Sequence, residues 1–164
     1  TSGTLFARAG GGIRNAGTLT LRGVDVTRNE ADFGGGIYNI GGTVTLQTGS
    51  SLTGNKAATF GGGVYNHTGG TMTLQTGSSL TGNEAQFGGG IYNNSGTMTL
   101  QTGSSLTGNL AQFAGGIYNL LYSTVTLDSG ALICGNTQFN SQQCAGDFTG
   151  SGTCPHPSDG ICPS

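Results

Sequence analysis

The chain has 164 residues, the length of one domain, and only 7% of them are charged, against roughly 25% in ordinary soluble domains. Gly fills 34 positions, which argues against a conventional mixed α/β globule, while regularly spaced aliphatic and aromatic residues argue against disorder. A formal net charge of −2 gives no footprint for nucleic acid, and no apolar run approaches the roughly 18 residues of a membrane span, so neither partner is expected.

Taken in chain order, residues 1–9 are expected to start a first coil, and self-similar units then begin near Gly10, Gly34, Gly61, Gly88 and Ala114, at spacings of 24, 27, 27 and 26 residues. The unit from Gly34 to Phe60 reads GGGIYNIGGTVTLQTGSSLTGNKAATF. Its extended stretches at 35–39, 43–47 and 51–53 are separated by Gly, Ser and Asn, the punctuation of strands that meet at corners. Alternation sends Val44 and Leu46 to one side and Thr43, Thr45 and Gln47 to the other, and the apolar side must face inward. No helical period is sustained, and Gly recurs too often for a helix. The expectation is an all-β parallel solenoid with three short strands per coil and about 27 residues per coil, its coils occupying residues 1–136.

Stacking the units predicts inward columns. Ile13, Ile37, Val64, Ile91 and Ile117 form one; Leu19, Val44, Met72, Met98 and Val125 another; Leu21, Leu46, Leu74, Leu100 and Leu127 a third. Val26, Leu52, Leu80, Leu106 and Ile133 follow, and Phe33, Phe60, Phe87 and Phe113 are expected to stack at the last corner of the core. Asn15, Asn39, Asn66, Asn93 and Asn119, and again Asn29, Asn55, Asn83, Asn109 and Asn136, form two columns. Asn tolerates the left-handed backbone of sharp corners, and its amides can bond from rung to rung. Asn66-His67-Thr68 and Asn93-Asn94-Ser95 match the glycosylation sequon, but a place in such a ladder predicts that they are not modified.

The GGGIYN, GGGVYN and AGGIYN stretches, followed by GTVTL or GTMTL and then SLTGN, resemble the GG-x-I-x-x-N repeats of chlamydial polymorphic outer-membrane proteins and related bacterial β-helix surface proteins. The resemblance covers residues 10 to about 136, with the Asn one residue early. It implies a right-handed β-helix that is secreted or displayed at the cell surface.

Cys134, Cys144, Cys154 and Cys162 all lie near the C-terminus among loop-forming residues. An even number in an irregular tail suggests two disulfides in an oxidising compartment, with three possible connectivities; a zinc site is the rival reading, but it lacks a C-x-x-C pair. Residues 137–164 are therefore expected to form a disulfide-tied cap over the last coil.

Catalysis on a β-helix needs convergent carboxylates or acids with basic partners, and Asp128 stands alone in a column of Gln47, Gln75 and Gln101. Glu30, Lys56 and Glu84 stack as an alternating-sign ladder, and His67 reads as a solvated loop residue. The stretch 49–54, GSSLTG, lacks the Lys and the following helix of a phosphate loop. No catalytic residue, metal site or cofactor is expected.

Function then has to come from an outer face. Thr18 and Thr20, Thr43 and Thr45, Thr71 and Thr73, Thr97 and Thr99, and Thr124 and Thr126 should form a two-column ladder, about 7 Å apart along a strand and about 4.8 Å between coils. Such Thr-x-Thr arrays resemble the ice-binding faces of β-solenoid antifreeze proteins, which implies an ice surface as partner. Threonine is also a favoured outward strand residue that coil duplication would copy regardless. The alternative is adhesion or a structural surface role, with a glycan or protein bound along Tyr38, Tyr65, Tyr92 and Tyr118. Matching rungs would also permit self-association into a filament.

Overall fold

The computed structural model describes residues 7–120 and 122–138, together with 144–145 and 149–150. The described chain forms a parallel β-solenoid of about five turns, with no helix among the described residues. The three strands per coil legible in the sequence are present, and each of their sheets runs the length of the stack. The first sheet joins Ile13–Asn15, Ile37–Ile40, Val64–His67, Ile91–Asn94 and Ile117–Asn119. The second joins Thr18–Leu21, Thr43–Leu46, Thr71–Leu74, Thr97–Leu100 and Thr124–Leu127, and the third Asp25–Thr27, Ser51–Thr53, Ser79–Thr81, Ser105–Thr107 and Leu132–Cys134. A further short sheet, the fourth, is built from Glu30–Phe33, Lys56–Phe60, Glu84–Phe87, Leu110–Phe113 and Thr137–Gln138. Sequence alone reads these last segments as a corner because they are short and interrupted by a bulge in coil 2, where Lys56–Phe60 carries one residue more than Glu84–Phe87.

Register follows the repeat. Ile37 pairs with Val64, Val64 with Ile91 and Ile91 with Ile117, and the columns through Val44, Leu46 and Leu52 are aligned in the same way. These aliphatic side chains form one continuous core that is fully buried through the middle coils. Burying one such side chain contributes about 1.5–3 kcal/mol, so identical columns give each rung the same driving force as its neighbours.

The phenylalanines depart from the expectation. Phe33, Phe60, Phe87 and Phe113 are only half-buried and lie apart from the aliphatic cluster. The rings of Phe33, Phe60 and Phe87 pack instead against the outward tyrosines of the first sheet, with Phe60 and Tyr92 at 4.5 Å and Phe87 and Tyr118 at 5.6 Å between centroids, and Phe113 stacks on Phe87. The fourth sheet contributes only Ala31, Ala57, Ala85 and Ala111 to the inside at these coils, which leaves no room there for a ring.

Both Asn ladders are present, but the corner asparagines do not adopt the left-handed backbone. That conformation falls on the residue just before each member of the second ladder, Arg28, Gly54, Gly82, Gly108 and Gly135, with φ between 54° and 64°. Asparagine is used for its amide: Asn15 Nδ2 donates to Asn39 Oδ1, Asn39 to Asn66, Asn66 to Asn93 and Asn93 to Asn119, each at 2.8 Å. The second ladder runs the same way from Asn29 through Asn55, Asn83 and Asn109 to Asn136. Asn66 and Asn93 are fully buried with both amide hydrogens engaged, so their sequons are closed to a glycosyltransferase in the folded chain.

Within the segment expected to cap the stack, the backbone continues three sheets. Thr137–Gln138 pairs with Leu110–Ala111, Cys144–Ala145 with Ile117–Tyr118, and Thr149–Gly150 with Thr126–Leu127. Cys134 takes the place of Thr107 in the next rung and is buried. Cys154 and Cys162, the Cys144 side chain, and with them the pairing of the four cysteines, lie outside the described residues.

Candidate ligand-binding face

Short, strictly alternating strands place every second residue of the second sheet outside. The ten threonines are in register without a break: Thr18 pairs with Thr43, then Thr71, Thr97 and Thr124, and Thr20 pairs with Thr45, Thr73, Thr99 and Thr126. The first column is exposed throughout, and the second is exposed at Thr20 and half-buried from Thr45 onward. Beneath them Val44, Met72, Met98 and Val125 are fully buried, so the pleat is anchored from below at each rung. Parallel strands lie about 4.8 Å apart and outward residues of one strand about 7 Å apart, which makes this face a rectangular grid of hydroxyls and methyls.

Hydroxyl bonding separates this grid from the corner threonines Thr48, Thr76 and Thr102. Among the described residues, none of the ten hydroxyls has a protein partner. At the next corner, by contrast, Thr48 Oγ1 donates to the Thr76 carbonyl at 3.0 Å, Thr76 to the Thr102 carbonyl at 2.8 Å, and Thr102 to the Ser129 carbonyl at 2.7 Å. On the third sheet Ser51 Oγ donates to Asp25 at 2.5 Å, and the Thr81 and Thr107 hydroxyls meet at 3.3 Å. Threonines that hold coils together spend their hydroxyls on the protein, and those of the second sheet leave theirs to whatever lies outside. The three middle coils place Gln47, Gln75 and Gln101 beside the grid, so no charge interrupts it there.

The tyrosine column is in register too, Tyr38 with Tyr65, Tyr92 and Tyr118, at centroid spacings of 5.2–5.3 Å. It is not a free row of aromatic faces. Tyr65 and Tyr92 are 7% and 6% exposed, covered by the phenylalanine column, and burial pushes the Tyr92 phenol up to about 12 and raises that of Tyr65. What the solvent meets is a seam of half-buried Phe edges, bounded by Tyr38 under the Arg14 guanidinium at one end and Tyr118 at the other. His67 is not a loop residue: it ends a strand of the first sheet, packs on the rings of Tyr38 and Tyr65, and has a buried Nδ1 without a hydrogen-bond partner.

Two features escaped the sequence reading. One is the corner threonine zipper, signalled only by Thr48, Thr76 and Thr102 before the positive-φ glycines 49, 77 and 103. The other is a groove on the outer face of the fourth sheet, whose signal was the extra residue in coil 2. No group of three or more His, Cys, Asp or Glu among the described residues could hold a metal ion.

Fold and surface together define a parallel β-solenoid repeat protein whose most regular outer feature is an uncharged threonine grid. Neither a protein-family model, nor a curated protein, nor a solved structure matches the chain.

Proposed function

We propose that this is a non-catalytic extracellular β-solenoid that binds ice through the Thr-x-Thr face of its second sheet. The observation that carries the reading is the in-register grid of ten threonines whose hydroxyls have no protein partner among the described residues. A rigid array offering one hydroxyl and one methyl per site can order the water it touches without a charge that would hold a mobile hydration shell. The resemblance to antifreeze solenoids points the same way, and the resemblance to bacterial surface repeats supports a secreted or surface location, with the four C-terminal cysteines as disulfides. The test is thermal hysteresis and ice-crystal shape for the purified chain and for the triple variant Thr45→Tyr, Thr73→Tyr, Thr99→Tyr. A freezing gap with faceted crystals, lost in the variant while the circular dichroism spectrum is kept, is the expected result.

A second reading, adhesion to a glycan or protein, is favoured by the aromatic seam, since half-exposed Phe edges beside buried tyrosines form an apolar strip on an otherwise polar surface. Loss of partner binding on changing Phe87 and Phe113, with the threonine variant unaffected, would select it over ice.

A further inference from the structure

The fourth sheet carries a groove that the threonine face does not use. It is an open depression of about 490 Å³ that runs across three coils. Lys56, Glu84 and Leu110 form its first row, and Ala58, Gln86 and Gln112 its second. The depression has a specific origin. In coils 3 and 4 the outward position two residues along the strand holds Gln86 and Gln112, whereas coil 2 has Ala58 there, and the bulge between the paired residues Lys56/Glu84 and Phe60/Phe87 accommodates the extra residue. Bulges of this kind re-aim side chains at the rims of sites.

Three chemical properties converge in it. Lys56 Nζ and Glu84 Oε1 are 2.8 Å apart, so the two charges that line the groove offset each other yet leave ammonium protons and a carboxylate oxygen facing outward, with the Glu30 carboxylate one rung beyond Lys56 outside the lining. Gln86 Nε2 donates to Gln112 Oε1 at 3.2 Å, which leaves one amide oxygen and one amide nitrogen of the pair free to bond elsewhere. Leu110 is 40% exposed, one of three exposed large hydrophobic residues among the described residues, and it gives the groove an apolar side chain next to these groups. Paired donors and acceptors without net charge, set against an aliphatic patch, match a ligand rich in hydroxyls that also has apolar C–H faces. They do not match a phosphate or a polyanion, each of which needs unpaired positive charge.

We propose that this groove is a binding site for a neutral glycan segment, distinct from the threonine grid and independent of whether that grid binds ice. Sugar hydroxyls would bond to Glu84, Gln86, Gln112 and the Lys56 ammonium, and a ring face would rest on Leu110. Ala58 is the specificity determinant: a longer side chain there would fill the end of the groove that lies in coil 2.

The test is titration of the full chain, labelled with ¹⁵N, with cellopentaose, laminaripentaose and chitopentaose, and with a polygalacturonate oligomer as the charged comparator. At least one neutral oligomer is expected to give saturable shifts confined to amides of the strands bearing Lys56, Glu84 and Leu110, with a Kd of about 1 mM or tighter. Ala58→Gln installs the side chain that the neighbouring coils already carry at an exposed position, so it should fold as the parent does and weaken binding at least about tenfold. Gln86→Ala should weaken the same interaction without moving the shifted region. Shifts that map to the second sheet, binding indifferent to Ala58→Gln, or polygalacturonate binding as tightly as the neutral oligomers would each overturn the proposal. So would an absence of saturable shifts with all three neutral oligomers.

Discussion

Replacing Asn66 by Ala tests whether the amide ladders hold the coils together or merely occupy their corners. Asn66 Nδ2 donates to Asn93 Oδ1 and to the Gly70 carbonyl, both at 2.8 Å, and its Oδ1 accepts from Asn39 Nδ2, also at 2.8 Å. The residue is fully buried, so water cannot replace the lost partners without entering the stack. Three neutral hydrogen bonds at about 1 kcal/mol net each, plus the partial desolvation penalty of the abandoned partners, give a cost of about 3–4 kcal/mol. For a chain of this size that is a fall in Tm of roughly 10 °C. Asn15→Ala is the control: its amide makes comparable bonds to Gly17 and Asn39, but at 8% exposure in the first coil it has water within reach, and about 1–2 kcal/mol is expected. Guanidinium denaturation followed by far-UV circular dichroism measures both. Asn66→Asp should be worse than Asn66→Ala, because a carboxylate would face the Asn93 Oδ1 and the Gly70 carbonyl with no proton to offer either. A cost below about 1 kcal/mol for Asn66→Ala, or one equal to that of Asn15→Ala, would refute the argument that buried, directional amide bonding stabilises the stack.

Three further outcomes follow from named contacts. Ala114 has φ 54° where coils 2 to 4 place Gly34, Gly61 and Gly88, so Ala114→Gly should raise stability by about 1 kcal/mol in the same denaturation assay. Thr76→Val removes the 2.8 Å bond to the Thr102 carbonyl while keeping a methyl against Gly103 and should cost about 1 kcal/mol, whereas Thr73→Val, on the grid, should stay within about 0.5 kcal/mol of the parent. The Tyr92 phenol is raised by burial from 10.0 to about 12 and that of Tyr65 is raised as well, so the folded state holds these protons where the unfolded state has lost them. The Tyr92 contribution to stability is therefore complete below pH 10 and disappears as pH climbs through about 12, Tyr65 adds a decline of the same sign, and denaturation midpoints and phenolate absorbance should report it together.

The fold was legible because the coils are near-copies. Period-2 alternation in Thr43-Val44-Thr45-Leu46 fixes which side is buried, and repetition at 26–27 residues fixes which residues pair, so the register of Val44 with Met72 follows from the alignment itself. What alternation could not reach was the fourth sheet. In Lys56-Ala-Ala-Thr-Phe60 the inward residue is a small alanine and the aromatic belongs to an outer seam, so hydrophobicity marks the wrong side of the strand. The same inversion left the tyrosines looking like an open face when Phe60 and Phe87 cover them. The threonine grid was visible as a pattern, but its hydroxyl bonding was not: Thr45 and Thr48 look alike in sequence, and only the direction of the chain at the corner sends one hydroxyl to a carbonyl and the other outward.

Duplication explains why neighbouring coils share a residue, so the informative coils are the two that have drifted. In coil 1 the outward tyrosine is replaced by Arg14, the glutamine by Arg22 and the serine of the third sheet by Asp25; in coil 5 the glutamine column ends in Asp128, the serine column in Leu132 and the adjacent threonine column in Cys134. Through these changes both threonine columns of the second sheet run unbroken from Thr18 and Thr20 to Thr124 and Thr126. Strand propensity does not account for the difference, because the changed strand sites Arg14, Asp25, Leu132 and Cys134 lie on the same kind of short strand and are accepted without loss of register. Nor does stability, since hydroxyls without protein partners contribute little to it. The proposed ice surface would account for it: a grid that must match a periodic surface loses area with each interrupted rung, whereas a site confined to two or three coils would tolerate change at either end.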